Sequence, residues 1–527
     1  MKENIEKKEP NPQKDSANIF NSPIDKDFKK KVIKFSFPII IILCFVVYIQ
    51  TIFFDFVYLD DYSIIVDEII AKIGGLSSIF KSFTFSYGGN FYRPIQTFSF
   101  VIDYAIGGGN PIIYHLGNLV FHCITCCILL YFLRTLKYND FTSLIVTAIY
   151  SIHPLFTHTV AWIPSRGDIF FTLFSVLAVT YYVKYFNDKK LTNFTLHSVF
   201  FLLSILSKET ALSLPFVCLA YLILIKKQSI FKKESFYFYL SWFAAVIIWY
   251  LLRSMSNMNE LDSRVIGISQ FITNLPTIPE YISKFFIPIN ISVLPTFRPF
   301  STISGLVLIA ALVTFIFLRK EKRTSYIIFG TIWFLFLLLP VLIFRHPQSD
   351  QFYDYMDHRA YLPIIGLLII LLEIFPKQWL KFDKKIALIV SLILVILLSG
   401  LTYAQSRNYR TPVRFWKNAI KNDKTRGEFY FSLGFYYFKW KRNSDAAEKY
   451  FAQSAKLNPT SEPTQTHLGL IYYERGEFEK AITHYRNSIM LKRDALEPRI
   501  NLGSALNRAG RHAESIGILK TELHSDK

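Results

Sequence analysis

Two adjacent carboxylates, Asp60 and Asp61 in "FVYLDDYSII", follow directly on an apolar run that ends near residue 54. One Asp at the centre of a spanning helix costs roughly 2.5–3.5 kcal/mol, so a pair costs about 5–7 kcal/mol and belongs at or beyond the membrane surface. A carboxylate at that level can act as a general base, taking the proton of an acceptor hydroxyl for a gain of roughly 10²–10⁴ in rate. A solvated turn uses the same pair equally well, and so does a site for a divalent ion.

The cations at the ends of other apolar runs bear on that choice. Arg93 in "FYRP", Arg166 in "SRGD", Lys208 in "SKE" and Arg359 in "DHRAYLP" all stand where a lipid phosphate would be found. An anionic leaving group in a low-dielectric setting needs such partners, and Arg adds bidentate geometry. Each taken alone would serve as an interfacial snorkelling residue. With two acids they suggest a site. Glu209 beside Lys208, and Asp357 and His358 beside Arg359, extend the polar set, as does His153 before Pro154. His115, Asn118 and His122 in "YHLGNLVFH" recur at i, i+3 and i+7 and share one helix face, where interhelical hydrogen bonding is the ordinary use and substrate contact the alternative. The chain has no HExxH pair, P-loop or nucleophile elbow, so no resident metal is assigned and nucleotide chemistry is not supported.

These residues have to be positioned by a membrane bundle. With 52% hydrophobic and 17% aromatic residues in 527, the chain is too apolar for an ordinary soluble protein. Apolar runs place spans near 35–54, 113–133, 141–157, 166–183, 192–207, 210–225, 236–252, 302–318, 326–344, 360–375 and 386–404, eleven in all. The net charge of +20 resides in clusters such as "KDFKKKVIK", "RTLK", "KYFNDKK", "KKQSIFKK", "RKEKR" and "PKQWLKFDKK". Each cluster falls between an even-numbered span and the next odd one, which is the alternation of cytoplasmic loops and argues against nucleic-acid binding. The same alternation demands turns at "SKET" and at "IHPLFTHTVAWIPSRGD". It puts the N-terminus in the cytoplasm and the acid pair, the cations and the turns that carry them on the outer face, with the loop 55–112 folded as short interfacial helices and His115, Asn118 and His122 within the second span. All five cysteines lie in apolar runs and read as small buried hydrophobes. Residues 1–34 read as a basic cytoplasmic leader, disordered at its start, and the first apolar run as an uncleaved span.

Beyond residue 405 the composition turns soluble and repeats itself. "FYFSLGFYYFKW", "THLGLIYYERG" and "RINLGSALNRAG" align on Gly434, Gly469 and Gly503, spaced by 35 and 34 residues. That is the tetratricopeptide period. The expected fold is therefore all-α: a polytopic bundle over 35–404 followed by a solenoid of about three repeats over 405–527, on the same outer face as the acids.

In this order, "DFVYLDDYSII", "YRPIQTFSFVIDYAIGGGNPIIYHLGNLVFH", "HPLFTHTVAWIPSRGD", "LSKETALSLP", "HRAYLP" and "RNYRTPVRFWKNAI" resemble the transmembrane and tetratricopeptide-repeat mannosyltransferases of the GT-C superfamily. The resemblance implies a glycosyltransferase that takes sugar from a polyprenyl-phosphate-linked donor on the outer face, with Asp60 or Asp61 activating the acceptor hydroxyl; a direct displacement by that hydroxyl would invert the anomeric carbon. It implies that Arg93, Arg166, Lys208 and Arg359 hold the donor phosphate, and that the repeats present a protein or peptide acceptor. In one departure, His158 stands where the family often has an acid. A glycan or lipid acceptor, or a non-catalytic scaffold or transporter, are the other readings of the same chain.

Overall fold

The computed structural model describes residues 23–57, 60–61, 64–65, 76–85, 91–256, 265–345, 355–374 and 384–525. The start of the leader, parts of the first loop and the "HPQSDQFYD" stretch lie outside these residues. Regular structure among the described residues is helical, except for a two-residue antiparallel ladder that pairs Val265 with Arg345 and Ile266 with Phe344.

The helices of ten or more residues number nineteen among the described residues. They are α1 (Pro23–Tyr48), α2 (Pro94–Gly107), α3 (Pro111–Thr135), α4 (Asp140–Ser151), α5 (Arg166–Asp188), α6 (Leu191–Ser207), α7 (Lys233–Ser254), α8 (Thr277–Phe286), α9 (Pro299–Leu318), α10 (Thr324–Ile343), α11 (Ile364–Ile374), α12 (Lys384–Ser406), α13 (Pro412–Asn422), and six more in the tail, α14 (Gly427–Lys439), α15 (Ser444–Leu457), α16 (Glu462–Glu474), α17 (Phe478–Leu491), α18 (Leu496–Arg508) and α19 (His512–Ser525). Their starts are legible: Pro opens α2, α3, α9 and α13, where a missing N–H costs nothing. Asn110, Asn139 and Asn443 accept from the first backbone N–H groups of α3, α4 and α15.

Seven helical stretches are long and apolar enough to cross a membrane, or eight if Asp140–Ser151 and Pro154–Ala161, bent by 49°, form one crossing. The other three of the expected eleven, Leu191–Ser207, Glu209–Ile225 and Ile364–Ile374, are apolar helices of 10–17 residues. At about 1.5 Å per residue none reaches the ~30 Å of a hydrocarbon core. The count of eleven is thus corrected to seven or eight full-length crossings plus three short arms. Two interruptions are where the charge alternation demanded turns: the backbone is extended at His153 and at Lys208.

The basic loops gather at one end of the bundle. Arg323 pairs with Glu373, which also accepts from Tyr138 at 2.8 Å; Lys189 lies 3.6 Å from Glu234, and Lys226 donates to Asn187.

Helices α10 and α11 cross where neither can carry a side chain. A Cβ on Gly366 would meet the Gly330 carbonyl at 2.3 Å, and one on Gly330 would meet the Gly366 carbonyl at 2.6 Å. Gly366→Leu must separate the two helices, and overpacking of this kind typically costs about 1–3 kcal/mol. A lowered melting temperature in detergent is expected; an unchanged one would show that the crossing yields.

In the tail, α14 to α19 form three antiparallel pairs. A Cβ on Gly469 would lie 2.5 Å from the Tyr485 ring, so the small residues set the spacing within each pair. Arg475 ties the second pair to the first, at 2.6 Å from both Asp445 and Glu448.

Candidate active site

The first span ends in a 3-10 turn, Ile49–Phe53, and the chain then runs without regular structure to Val57. Asp61 is buried, and its Oδ2 accepts the Val57 N–H at 2.6 Å. Its Oδ1 has no partner among the described residues. Burial pushes the Asp61 carboxyl well above the usual range, against the opposing pull of the Val57 N–H, and the neighbouring Asp60 and Asp55 push it further. Asp60 opens to solvent at the rim. Enough of the protein surrounds its carboxyl that desolvation still raises its proton affinity, and the charge of Arg93 works the other way.

Three of the four cations expected at a donor phosphate come within electrostatic range of one another, and one of them, Arg93, within range of Asp60. Arg93 precedes α2, with Nη2 3.6 Å from Glu209 Oε1 and its guanidinium 4.8 Å from the Phe91 ring. Lys208 is buried in the extended break after α6, its Nζ donating to Asp168 Oδ1 at 2.7 Å. Desolvation lowers the Lys208 pKa; Asp168 opposes this, and Arg93 and Arg359 are close enough to lower it further. His358 Nε2 lies 3.8 Å from the other Asp168 oxygen, and desolvation together with His158, Lys208, Arg359 and Arg93 keeps that imidazole neutral. Arg93, Lys208 and Arg359 thus act on one another and, through Arg93, on Asp60.

Arg166 is elsewhere, and its assignment to the donor phosphate is corrected. The side chain is fully buried and engaged by the protein: Nη1 meets Asp103 Oδ2 at 2.5 Å and Ser99 Oγ at 3.2 Å, Nε donates to Asn118 Oδ1 at 2.7 Å, and Nη2 donates to the Tyr114 carbonyl at 2.5 Å. The Phe100 ring covers it at 4.5 Å. Planar, fully donated and enclosed, this guanidinium pins α2, α3 and α5 together. Asn118 completes the staple, its amide reaching the carbonyls of Val160, Trp162 and Ile163 at 3.2–3.4 Å.

The histidines of the polar set divide similarly. His122 gives both ring nitrogens to the fold, to the Tyr361 hydroxyl at 2.7 Å and the Ser151 carbonyl at 2.9 Å. His153 accepts from the Leu155 N–H at 3.2 Å, bonds the Phe285 carbonyl at 2.9 Å and stacks on the Phe285 ring, which makes it the cap of the bend and removes it from the substrate set. His115 packs edge-on against Phe54, with centroids 6.1 Å apart. Asp357 is buried against Lys284, whose Nζ lies 2.8 Å from Oδ1, and burial raises its pKa while Lys284 opposes. Lys284, Asp168 and Asp103, the acid that holds Arg166, are absent from the set expected from the sequence. Lys284 had a signal: a lone Lys in "YISKFFIP" needs a buried acid.

The tail is seated on the same face as the acids. The Asp55 N–H donates to the Arg410 carbonyl at 3.1 Å. Phe54 and Val57 of the first loop, Trp162 of the turn, Val293 and Leu294 share one core cluster with Tyr409, Phe415, Trp416, Phe429 and Leu433. Asn418 accepts the Val293 N–H at 3.1 Å, and Arg298 donates to Asn422 Oδ1 at 2.6 Å.

For a metal, the one group of three close ligand atoms among the described residues is Cys44, His122 and Cys126, within 4.8 Å of one another and buried in the bundle. His122 already spends both nitrogens on protein partners, so the trio reads as packing. The acidic pair is joined by no third such side chain among the described residues.

Residues 104–251 match the family model described as dolichyl-phosphate-mannose-protein mannosyltransferase, and residues 469–510 match the tetratricopeptide-repeat model. A Caenorhabditis elegans protein named Protein O-mannosyl-transferase F38B6.6 is 25% identical over 460 residues, covering 80% of this chain and 63% of its own length. Protein O-mannosyl-transferase Tmtc1 of Drosophila melanogaster is 27% identical over 33% of the chain and 21% of its own length. Protein O-mannosyl-transferase TMTC2 of Mus musculus is 30% identical over 26% of the chain and 17% of its own length. The chain thus spans less than two thirds of the length of each of these relatives. It is mannosyltransferase-like in its bundle and carries tetratricopeptide repeats in its tail.

Proposed function

We propose that this protein is a membrane mannosyltransferase that moves sugar from a polyprenyl-phosphate-linked donor to a hydroxyl of a protein acceptor, at the face of the bundle that the acid pair shares with the solenoid. The observation that carries the reading is the convergence of Arg93, Lys208 and Arg359 on one another, with Arg93 reaching Asp60. Cations at this density neutralise a phosphate that leaves with a growing charge. Asp60, open at the rim, takes the acceptor proton as the hydroxyl oxygen bonds to the anomeric carbon. The bond from that carbon to the phosphate oxygen breaks, configuration inverts, and lipid phosphate departs. Asp61, turned inward and bonded to Val57, holds the loop.

The end of the bundle that collects the basic loops faces the cytoplasm in this reading, and the acids and the solenoid face outward. Relatives named as protein O-mannosyl-transferases support a protein acceptor, and a solenoid fixed to the first loop is placed to present one. Incubating the purified protein with a panel of polyprenyl-phosphate sugars and a Ser/Thr-rich peptide tests transfer directly. No transfer from any of them, or a retained anomeric configuration by NMR, would refute it.

The ionised carboxylate is the active form, so turnover is expected to fall as pH drops through the Asp60 pKa, which lies above the ordinary Asp value of about 3.9. Arg93 holds that pKa down. Arg93→Gln is therefore expected to move the acidic limb of kcat/KM to higher pH; an unmoved limb would place the titrating group elsewhere.

A further inference from the structure

A group of buried polar atoms lies beside these cations with no protein partner. His158 is 2% exposed, and neither of its ring nitrogens makes a hydrogen bond among the described residues. The same holds for Nδ1 of His358 and for Nε1 of Trp162. The three rings face one another, with His158 4.8 Å from Trp162 and 4.7 Å from His358, and Trp162 5.7 Å from His358. Tyr409, from the segment that leads into the solenoid, closes the group 5.6 Å from His158. Native interiors satisfy nearly all such atoms, so four together mark a place built for something that is not protein.

We infer that His158, His358 and Trp162 form the sugar-recognition subsite, binding the hydroxyls of a neutral hexopyranose. The inference rests on the transfer reading above and names the part of the donor that these residues read. Its geometry follows from the phosphate: Lys208, Arg359 and Arg93 all lie within electrostatic range of His358, so a donor phosphate among them brings its sugar to the imidazoles. A neutral imidazole offers one donor and one acceptor, which matches the dual character of a sugar hydroxyl, and the indole N–H adds a donor beside an aromatic face. A carboxylate at position 158 offers acceptors only.

Binding is measured on the full-length protein in nanodiscs, in an Asp60→Asn background and without acceptor so that the donor is not consumed. The probes are polyprenyl-phosphate mannose, its glucose and galactose epimers, and bare polyprenyl phosphate. His158→Phe and His358→Phe are expected to weaken the preferred sugar-lipid about tenfold or more, the loss anticipated when a buried partner is removed, while leaving bare polyprenyl phosphate unchanged. His158→Gln, which keeps a donor and an acceptor, is expected to restore most of the affinity. Equal losses for the sugar-lipid and the bare lipid phosphate, or no loss in either Phe variant, would overturn the subsite. Sugar-selective binding without transfer by the wild type would sink the transfer reading and leave the subsite standing.

Discussion

Asp60→Asn is expected to lower single-turnover transfer by about 10²–10⁴, the range that a positioned general base contributes, with melting temperature and donor affinity close to wild type. The side chain is open at the rim and Asn preserves its volume, so the loss is one of chemistry. Asp61→Asn provides the contrast. The oxygen that accepts the Val57 N–H at 2.6 Å has a counterpart in the Asn amide, so the turn survives and the expected loss is several-fold. A reversal, with Asp61→Asn inactive and Asp60→Asn active, would exchange the two roles. Activity in both variants would remove the pair from the chemistry.

Arg166→Met is expected to act on folding. It leaves Asp103 buried opposite an apolar side chain, and breaking a buried pair from one side costs about 3–5 kcal/mol. Asn118, Ser99 and the Tyr114 carbonyl lose a donor as well. The variant should express poorly and melt early, and adding Asp103→Asn should recover part of the loss, as a double-mutant cycle would show. A well-folded Arg166→Met protein that had lost donor binding would restore Arg166 to the phosphate.

The contrast between Arg93 and Arg166 shows what can be read from residue order. Both stand near span ends, and both carry the charge that a lipid phosphate wants. The sequence supplies the charge and the depth, but direction depends on Asp103, 63 residues before Arg166, on a helix whose apolar pattern shows only one acid. Lys284 and Asp357 are likewise 73 residues apart. Local signals did better. The 34-residue period, the prolines that open helices and the break at Lys208 depend on neighbours along the chain, and each has its counterpart in the structure. The span count exceeds the full-length crossings because three apolar runs form helices too short to cross, and α11 has only 11 residues.

The junction between the first loop and the tail bears on how the chain is made. Gln50 donates to the Tyr403 carbonyl, 353 residues later, and Phe54 and Val57 share a core cluster with residues as late as Leu433. The cluster over the segment leading to Asp60 therefore closes only after residues as late as Leu433 have been made. Ribosomes stalled before that point would hold a polypeptide whose Phe54, Val57 and Trp162 lack the cover of Tyr409, Phe415 and Trp416, more open to proteases and holdase chaperones.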